Sequence, residues 1–287
     1  MQIINTVSAL RLALKHQAKI AFVPTMGNLH AGHIHLVTLA KQQAECVVVS
    51  IFVNPLQFGA HEDLANYPRT LEADCEKLKA AGASIVFTPT VAEMYPDFDG
   101  VNLNQSMTIT PPAIADELCG ASRPGHFSGV ATVVLKLFNM VFLNGAQQCF
   151  AVFGQKDFQQ LFVIKQLVRQ FNLPIQIIAG ETMREESGLA LSSRNGYLTA
   201  EQRLQASQLN TVLRNIVTKL KANHTNFDAL ELEATAILNA QGWIVDYISI
   251  RSALTLSRAN SSDSHLVVLA AAKLGNTRLI DNIEFLR

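Results

Sequence analysis

One repeated pattern constrains this chain more than any other. Short β-branched runs alternate with segments that carry apolar residues at helical spacing. The run "CVVVSIFV", residues 46–53, is apolar almost throughout, as expected of a strand covered on both faces. Ahead of it stands "IAFV", residues 20–23, and between them "HIHLVTLAKQQA" puts Ile34, Val37 and Ala40 on one helical face. Strand, helix and strand in that order make a βαβ unit with a right-handed crossover. The alternation continues through "TLEADCEKLKAAGA", with Thr70 as N-cap and Gly82 at its end, and through "SIVFTP", residues 84–89. After a polar, irregular stretch it resumes with "GVATVVLKLFNMV" (129–141), "QCFAVFG" (148–154), a helix from Asp157, and "PIQIIAG" (174–180). The fold class that follows is α/β: a Rossmann-like open parallel sheet with helices on both faces.

The character changes near Glu181. Two helices, residues 200–222 and 227–240, follow one another without a strand between them. Then come "WIVDYISIR", "HLVVLAAAKLG" and "TRLIDNIEFL", the last two joined by the turn signal Gly275-Asn276. This predicts a smaller C-terminal α+β domain, with domains at 1–181 and 182–287. The segments 54–69 and 92–128 are long for simple connections, which points to function.

Bulk properties exclude several functions. Lys plus Arg and Asp plus Glu both number 23, so the formal charge is zero, and a nucleic-acid partner is not expected. Cys46, Cys75, Cys119 and Cys149 form no C-x-x-C pair and read as free thiols in a reducing compartment, the cytoplasm. No apolar run reaches the ~20 residues of a membrane span, and the N-terminus does not look like a signal peptide.

The chemistry concentrates in a few loops. "PTMGNLHAGH", residues 24–33, leaves the first strand of that unit, residues 20–23. Gly27 permits a sharp turn, and Gly32 lets a ligand lie close to the backbone. A helix starting near His33 offers unpaired N–H groups to an anion. His30 and His33, three residues apart, donate to phosphate oxygens and stabilise charge developing on a leaving pyrophosphate. Neither standard glycine-rich phosphate loop is present. H-x-G-H marks adenylate-forming and nucleotidyl-transferring α/β proteins, and alone it leaves several of them open. "SSRN", residues 192–195, adds two hydroxyls and Arg194, whose planar fork suits phosphate. "FGQKDFQQL" adds Lys156, Asp157 as N-cap or ribose contact, and Gln160 one turn on. Gln57, on the loop after the second strand, residues 46–53, is placed to recognise a carboxylate or hydroxyl. His126 precedes the Gly129 helix, and Asp63, Tyr67 and Arg69 read as loop-structural.

Six pieces together resemble the pantoate–β-alanine ligase family: "PTMGNLHAGH", "FVNPLQFG", "EDLANYPRT", "RPGHFSGVATVV", "FGQKDFQQL" and "LSSRNGYL", in family order and spacing. The C-terminal "DYISIRSALTL" also resembles the family's smaller domain. The resemblance implies ATP-dependent joining of (R)-pantoate and β-alanine through a pantoyl adenylate, releasing AMP and pyrophosphate. It implies a cytoplasmic homodimer that uses Mg²⁺. It implies ATP contacts at Met26, Gly27, Asn28, Leu29, His30, Ala31, Gly32 and His33. Further ATP contacts fall at Gly154, Gln155, Lys156, Asp157, Met183, Leu191, Ser192, Ser193 and Arg194. It gives Gln57 and Gln160 to pantoate and makes His33 the proton-donating residue. The catalytic set is then His30, His33, Lys156 and Arg194. Gln155 stands where glutamate is frequent in the family, and Leu191 where methionine is. Ala73 stands beside Asp74 where some relatives have paired acids, so no protein metal ligand is expected and Mg²⁺ rides on the ATP phosphates.

The rivals are a nucleotidyltransferase acting on a phosphate-bearing substrate, a class I aminoacyl-tRNA synthetase, and a non-catalytic nucleotide sensor. A sensor would not need His33, Lys156 and Arg194 together.

Overall fold

A computed structural model describes residues 1–59, 64–143 and 145–287; Asp63 lies outside them. The first part of the chain runs β1 (Gln2–Ile4), α1 (Val7–Leu14), β2 (Lys19–Thr25), α2 (Ala31–Gln43), β3 (Cys46–Ile51), α3 (Leu71–Ala81) and β4 (Ile85–Phe87). Two single turns, α4 (Val91–Met94) and α5 (Cys119–Ser122), punctuate the long connection to α6 (His126–Phe142). The sheet is completed by β5 (Gln148–Gly154), α7 (Phe158–Gln170) and β6 (Ile175–Gly180). All six strands are parallel, in the order β1-β4-β3-β2-β5-β6.

Alternation within β2 explains its unbroken apolar run. Phe22 points to one face, where it meets Phe138 and Phe142 of α6 edge-on. Ala21 and Val23 point to the other and pack with Val37 of α2 and Leu78 of α3. From β2 the chain builds outward through β3 and β4, then returns to lay β5 on the opposite side of β2. The strand order therefore reverses between β2 and β5, and a crevice opens at their carboxyl ends, where open α/β sheets bind ligands.

Beyond β6 lie α8 (Ala200–Ala206), α9 (Gln208–Lys221), α10 (Phe227–Ala240), β7 (Trp243–Ser252), β8 (His265–Leu274) and β9 (Thr277–Leu286). The last three form an antiparallel sheet, with Leu274 paired to Thr277 across the Gly275-Asn276 turn. This part has its own core, which includes Leu213, Leu220, Trp243 and Leu266.

Three local expectations differ from the structure. The helix expected over 200–222 is two helices, interrupted at Ser207, whose hydroxyl donates to the Leu204 carbonyl at 2.8 Å. Thr70 does occupy the N-cap of α3 but makes no capping bond; its hydroxyl donates to Asp74 Oδ2 at 3.1 Å. Asp157 likewise makes no capping bond, because a 3-10 turn over Gln155–Asp157 precedes α7.

Candidate active site

The loop after β2 is fixed from below. Gly27 has φ +85° and Asn28 φ +51°, so the chain turns back on itself at once. The two N–H groups this exposes, from Asn28 and Leu29, donate to Oδ2 and Oδ1 of Asp74, each at 2.8 Å. Asp74 is fully buried at the start of α3, and its neighbour Lys77 donates to the Leu29 carbonyl at 2.7 Å. Sequence alone showed Asp74 only as an acid in a helix's first turn. Both its oxygens are committed to backbone, so it anchors the loop. Leu29 is buried among the apolar side chains between α2 and β3, and Ala31 opens α2.

That anchoring sets the histidines. Helix α2 begins at Ala31, two residues earlier than the sequence predicted, with His30 as its N-cap. His30 Nδ1 accepts the Gly32 N–H at 3.1 Å, and His33 Nδ1 accepts the His30 N–H at 3.2 Å. This is a reciprocal capping box built from two imidazoles in place of hydroxyl and carboxylate. A backbone N–H only donates, so both Nδ1 atoms are unprotonated and each ring carries its hydrogen on Nε2. Gly32 also has a local reason to be glycine. A Cβ there would meet the His30 ring at 2.9 Å, so the glycine makes room for the imidazole that caps it.

Both rings are held neutral. His30 is lowered to about 4, by burial first and then by the Lys156 charge. His33 is lowered to about 3, by burial and then by His30 and Lys156. With only Nε2–H to offer at neutral pH, they are hydrogen-bond donors to an anion rather than imidazolium acids.

Strand β5 delivers the second wall. After Gly154 the 3-10 turn presents Lys156, whose ammonium lies 3.8 Å from Asp157. Gln160 follows in the first turn of α7. Gln155 turns away: its amide donates to Glu284 of β9 at 3.2 Å. The carbonyls of Gln155 and Lys156 both accept from Asn282 of β9, each at 2.9 Å. The antiparallel sheet thus holds the turn that carries Lys156, a link that no local pattern announced.

The third wall is a turn after β6. Leu191 N–H donates to the Met183 carbonyl at 2.9 Å, which brings these two residues side by side. Arg184 ties this turn to β9 through two bonds to Asp281, at 2.7 and 2.8 Å. Ser192 Oγ accepts the Arg194 N–H at 3.2 Å, and Ser193 Oγ donates to the Asn28 carbonyl at 3.1 Å. The SSRN segment is thereby bonded to the H-x-G-H loop.

These walls enclose a cleft of about 230 Å³. Met26, His30, Gly32 and His33 line one side, and Gly154, Lys156, Asp157 and Gln160 another. Met183, Leu191, Ser192, Ser193 and Arg194 form its rim, and Gln57 its floor. It shares Lys156, Gln160 and Arg194 with a larger cavity of about 970 Å³ toward the antiparallel sheet. The structure therefore gathers the four loops that the sequence singled out, with Gly27, Asn28, Leu29 and Ala31 as support beneath and Gln155 outside. Asn54, also on the cleft wall, was not anticipated from sequence; its place before Pro55 reads only as a turn.

The profile of the Pantoate-beta-alanine ligase family matches residues 2–284. The chain belongs to the pantoate–β-alanine ligase family. It is 64% identical to the pantothenate synthetase of Methylobacillus flagellatus over 285 residues, covering 99% of each chain. Among solved structures, it resembles pantothenate synthetase from Thermus thermophilus with a TM-score of 0.89 and 39% identity, over 99% of both chains. It also resembles pantoate-beta-alanine ligase from Francisella tularensis, crystallised with beta-gamma ATP and beta-alanine. That match has a TM-score of 0.80 and 36% identity, over 99% of this chain and 97% of that one. Family membership, the parallel sheet and the smaller antiparallel domain agree with what the sequence predicted.

Proposed function

We propose that this cleft is where ATP, pantoate and β-alanine react to give pantothenate, AMP and pyrophosphate, as in the rest of the family. The observation that carries this reading is the convergence of two neutral Nε2–H imidazoles, one ammonium and one guanidinium at the β2/β5 switch point. Four such donors converging on one cleft are suited to a triphosphate.

In the first step a pantoate carboxylate oxygen bonds to the α-phosphorus, and the bond from that phosphorus to the bridging oxygen of pyrophosphate breaks. His30, His33, Lys156 and Arg194 take up the charge arriving on the leaving group. In the second step the neutral amine of β-alanine bonds to the acyl carbon, the bond from that carbon to the AMP oxygen breaks, and the amine gives up a proton. Gln57 and Gln160 hold the acid, and Met183 and Leu191 supply apolar contact to the nucleotide. The neutral state of His33 makes it a hydrogen-bond donor at the phosphates; it transfers a proton only after a bound anion has raised its basicity.

Mg²⁺ enters with the triphosphate and, when bound, spreads the charge of the departing pyrophosphate. Asp74 is not available to hold it, since both oxygens accept backbone N–H groups. Among the described residues, Asp157 and Glu181 are the carboxylates on the cleft wall, which fits a metal carried chiefly by phosphate and water.

We place the domain boundary at 181/182, just past the end of β6 at Gly180, and read the second domain with the Ser192 segment as a cover that keeps water from the adenylate. A cytoplasmic homodimer completes the proposal. The four cysteines are free, which suits a reducing compartment, and among the described residues no helix is long and apolar enough to cross a membrane. Sedimentation would measure the dimer.

ATP–pyrophosphate exchange tests the reading. Exchange that requires pantoate but not β-alanine, followed by AMP release when the amine is added, is the expected result. No AMP release with both substrates present would contradict it.

A further inference from the structure

Gln57 is held by more than its own loop. Asn54 touches it, and the polarity of Asn54 is fixed on both sides by backbone. Its Oδ1 accepts the Leu56 N–H at 3.3 Å, and its Nδ2 faces the Gly129 carbonyl at 3.3 Å. An N–H cannot accept and a carbonyl cannot donate, so the amide has one orientation. The Tyr95 phenol reinforces it by donating to Asn54 Oδ1. Tyr95 is fully buried, and burial raises its phenol well above the usual range, so it stays a donor.

The orientation is passed on. Asn54 Nδ2 donates to Gln57 Oε1 at 3.1 Å, which fixes the orientation of the glutamine amide with its oxygen toward Asn54. Its other end is the Nε2 donor, 3.1 Å from the Met26 sulfur at the cleft. A thioether is a weak acceptor, so this N–H is available to a better one. The backbone of Gln57 is fixed separately. His126 Nδ1 lies 2.9 Å from the Gln57 carbonyl, and its Nε2 lies 3.0 Å from Arg123 Nη1. The carbonyl requires hydrogen on Nδ1, and the guanidinium requires none on Nε2, so His126 is a neutral donor to Gln57.

We infer that Tyr95 and His126 are positioning residues for the acid substrate. Through Asn54 and the Gln57 backbone they turn the Nε2 donor of Gln57 to the cleft, and so favour an acid that presents an acceptor oxygen there, carboxylate or hydroxyl. This rests on placing the acid at Gln57. Neither residue lines the smaller cleft; His126 lies on the wall of the larger cavity beside it, and both act on the acid through Gln57.

A mutant cycle read as separate KM values for pantoate and ATP tests this. Gln57→Ala should raise pantoate KM. Tyr95→Phe should raise it about tenfold, the scale of one hydrogen bond, with ATP KM unchanged, and should add nothing on the Gln57→Ala background. His126→Leu should act like Tyr95→Phe, and His126→Asn, which keeps a donor near the Nδ1 position, should restore most of the loss. Additive effects of Tyr95→Phe and Gln57→Ala, or an equal rise in ATP KM, would overturn the positioning role and leave the acid site standing. An unchanged pantoate KM in Gln57→Ala would overturn the acid site itself.

Discussion

His30 and His33 cap the same helix end with their Nδ1 atoms, at 3.1 and 3.2 Å from backbone nitrogens, their rings 4.1 Å apart. The geometry that starts α2 also decides which nitrogen faces the cleft. Folded, the rings sit near 4 and 3; unfolded, each returns to 6.5. The unfolded chain therefore binds more protons between these values. The stability the neutral rings contribute is full above about pH 6.5 and is lost as pH falls toward 4 and 3. Denaturant unfolding at pH 7 and pH 5 should show the wild type losing about 1–2 kcal/mol more than His33→Gln. At neutral pH His33→Ala should keep the fold and lose turnover by about 10²–10³, the range for one lost donor to a developing charge.

Asp74 carries a prediction that its position in sequence hides. Asp74→Ala leaves the Asn28 and Leu29 N–H groups buried without acceptors, at about 1–3 kcal/mol each. Unfolding midpoints should drop accordingly, and ATP KM should rise because the H-x-G-H loop is released. Asp74→Asn keeps one acceptor and should fall between. An Asp74→Ala protein with unchanged ATP KM would separate loop anchoring from nucleotide binding.

Gly129 lies where α6 crosses the loop that holds Gln57. A Cβ there would stand 2.4 Å from the Leu56 carbonyl oxygen and 2.7 Å from the Gln57 Cα. Gly129→Ala must push that turn aside, at about 1–3 kcal/mol. Pantoate KM should rise while ATP KM holds, measured by varying each substrate against saturating amounts of the other.

Arg184 and Asp281 join the Met183–Leu191 turn to β9, with Asp281 almost wholly buried. Removing the charge of one partner leaves the other uncompensated, at about 3 kcal/mol. Asp281→Asn should lower the unfolding midpoint and weaken ATP binding together, since Asn282 beside it holds the Lys156 turn. Loss of stability with ATP binding intact would show that the bridge serves the fold alone.

These cases also show what the sequence could and could not reveal. The sheet was legible because β2 and β3 are covered on both faces and so are written in continuous apolar runs. The H-x-G-H, SSRN and GQKD loops were legible because their chemistry lies within a few consecutive residues. Asp74 meets Asn28 across 46 positions and Asn282 meets Lys156 across 126, and no local periodicity encodes such pairs. The break at Ser207 was hidden because both flanking helices share good helix formers. The tautomers of His30 and His33 depend on backbone N–H directions that exist only once α2 has formed.

The central claim is that the pantoate carboxylate attacks the α-phosphorus in this cleft. Pantoate labelled with ¹⁸O in its carboxylate tests it most directly, with the products read by mass spectrometry after turnover with ATP and β-alanine. One labelled oxygen in AMP, and none in pyrophosphate, is the predicted result. AMP without label, or label in inorganic phosphate alongside ADP, would contradict the account.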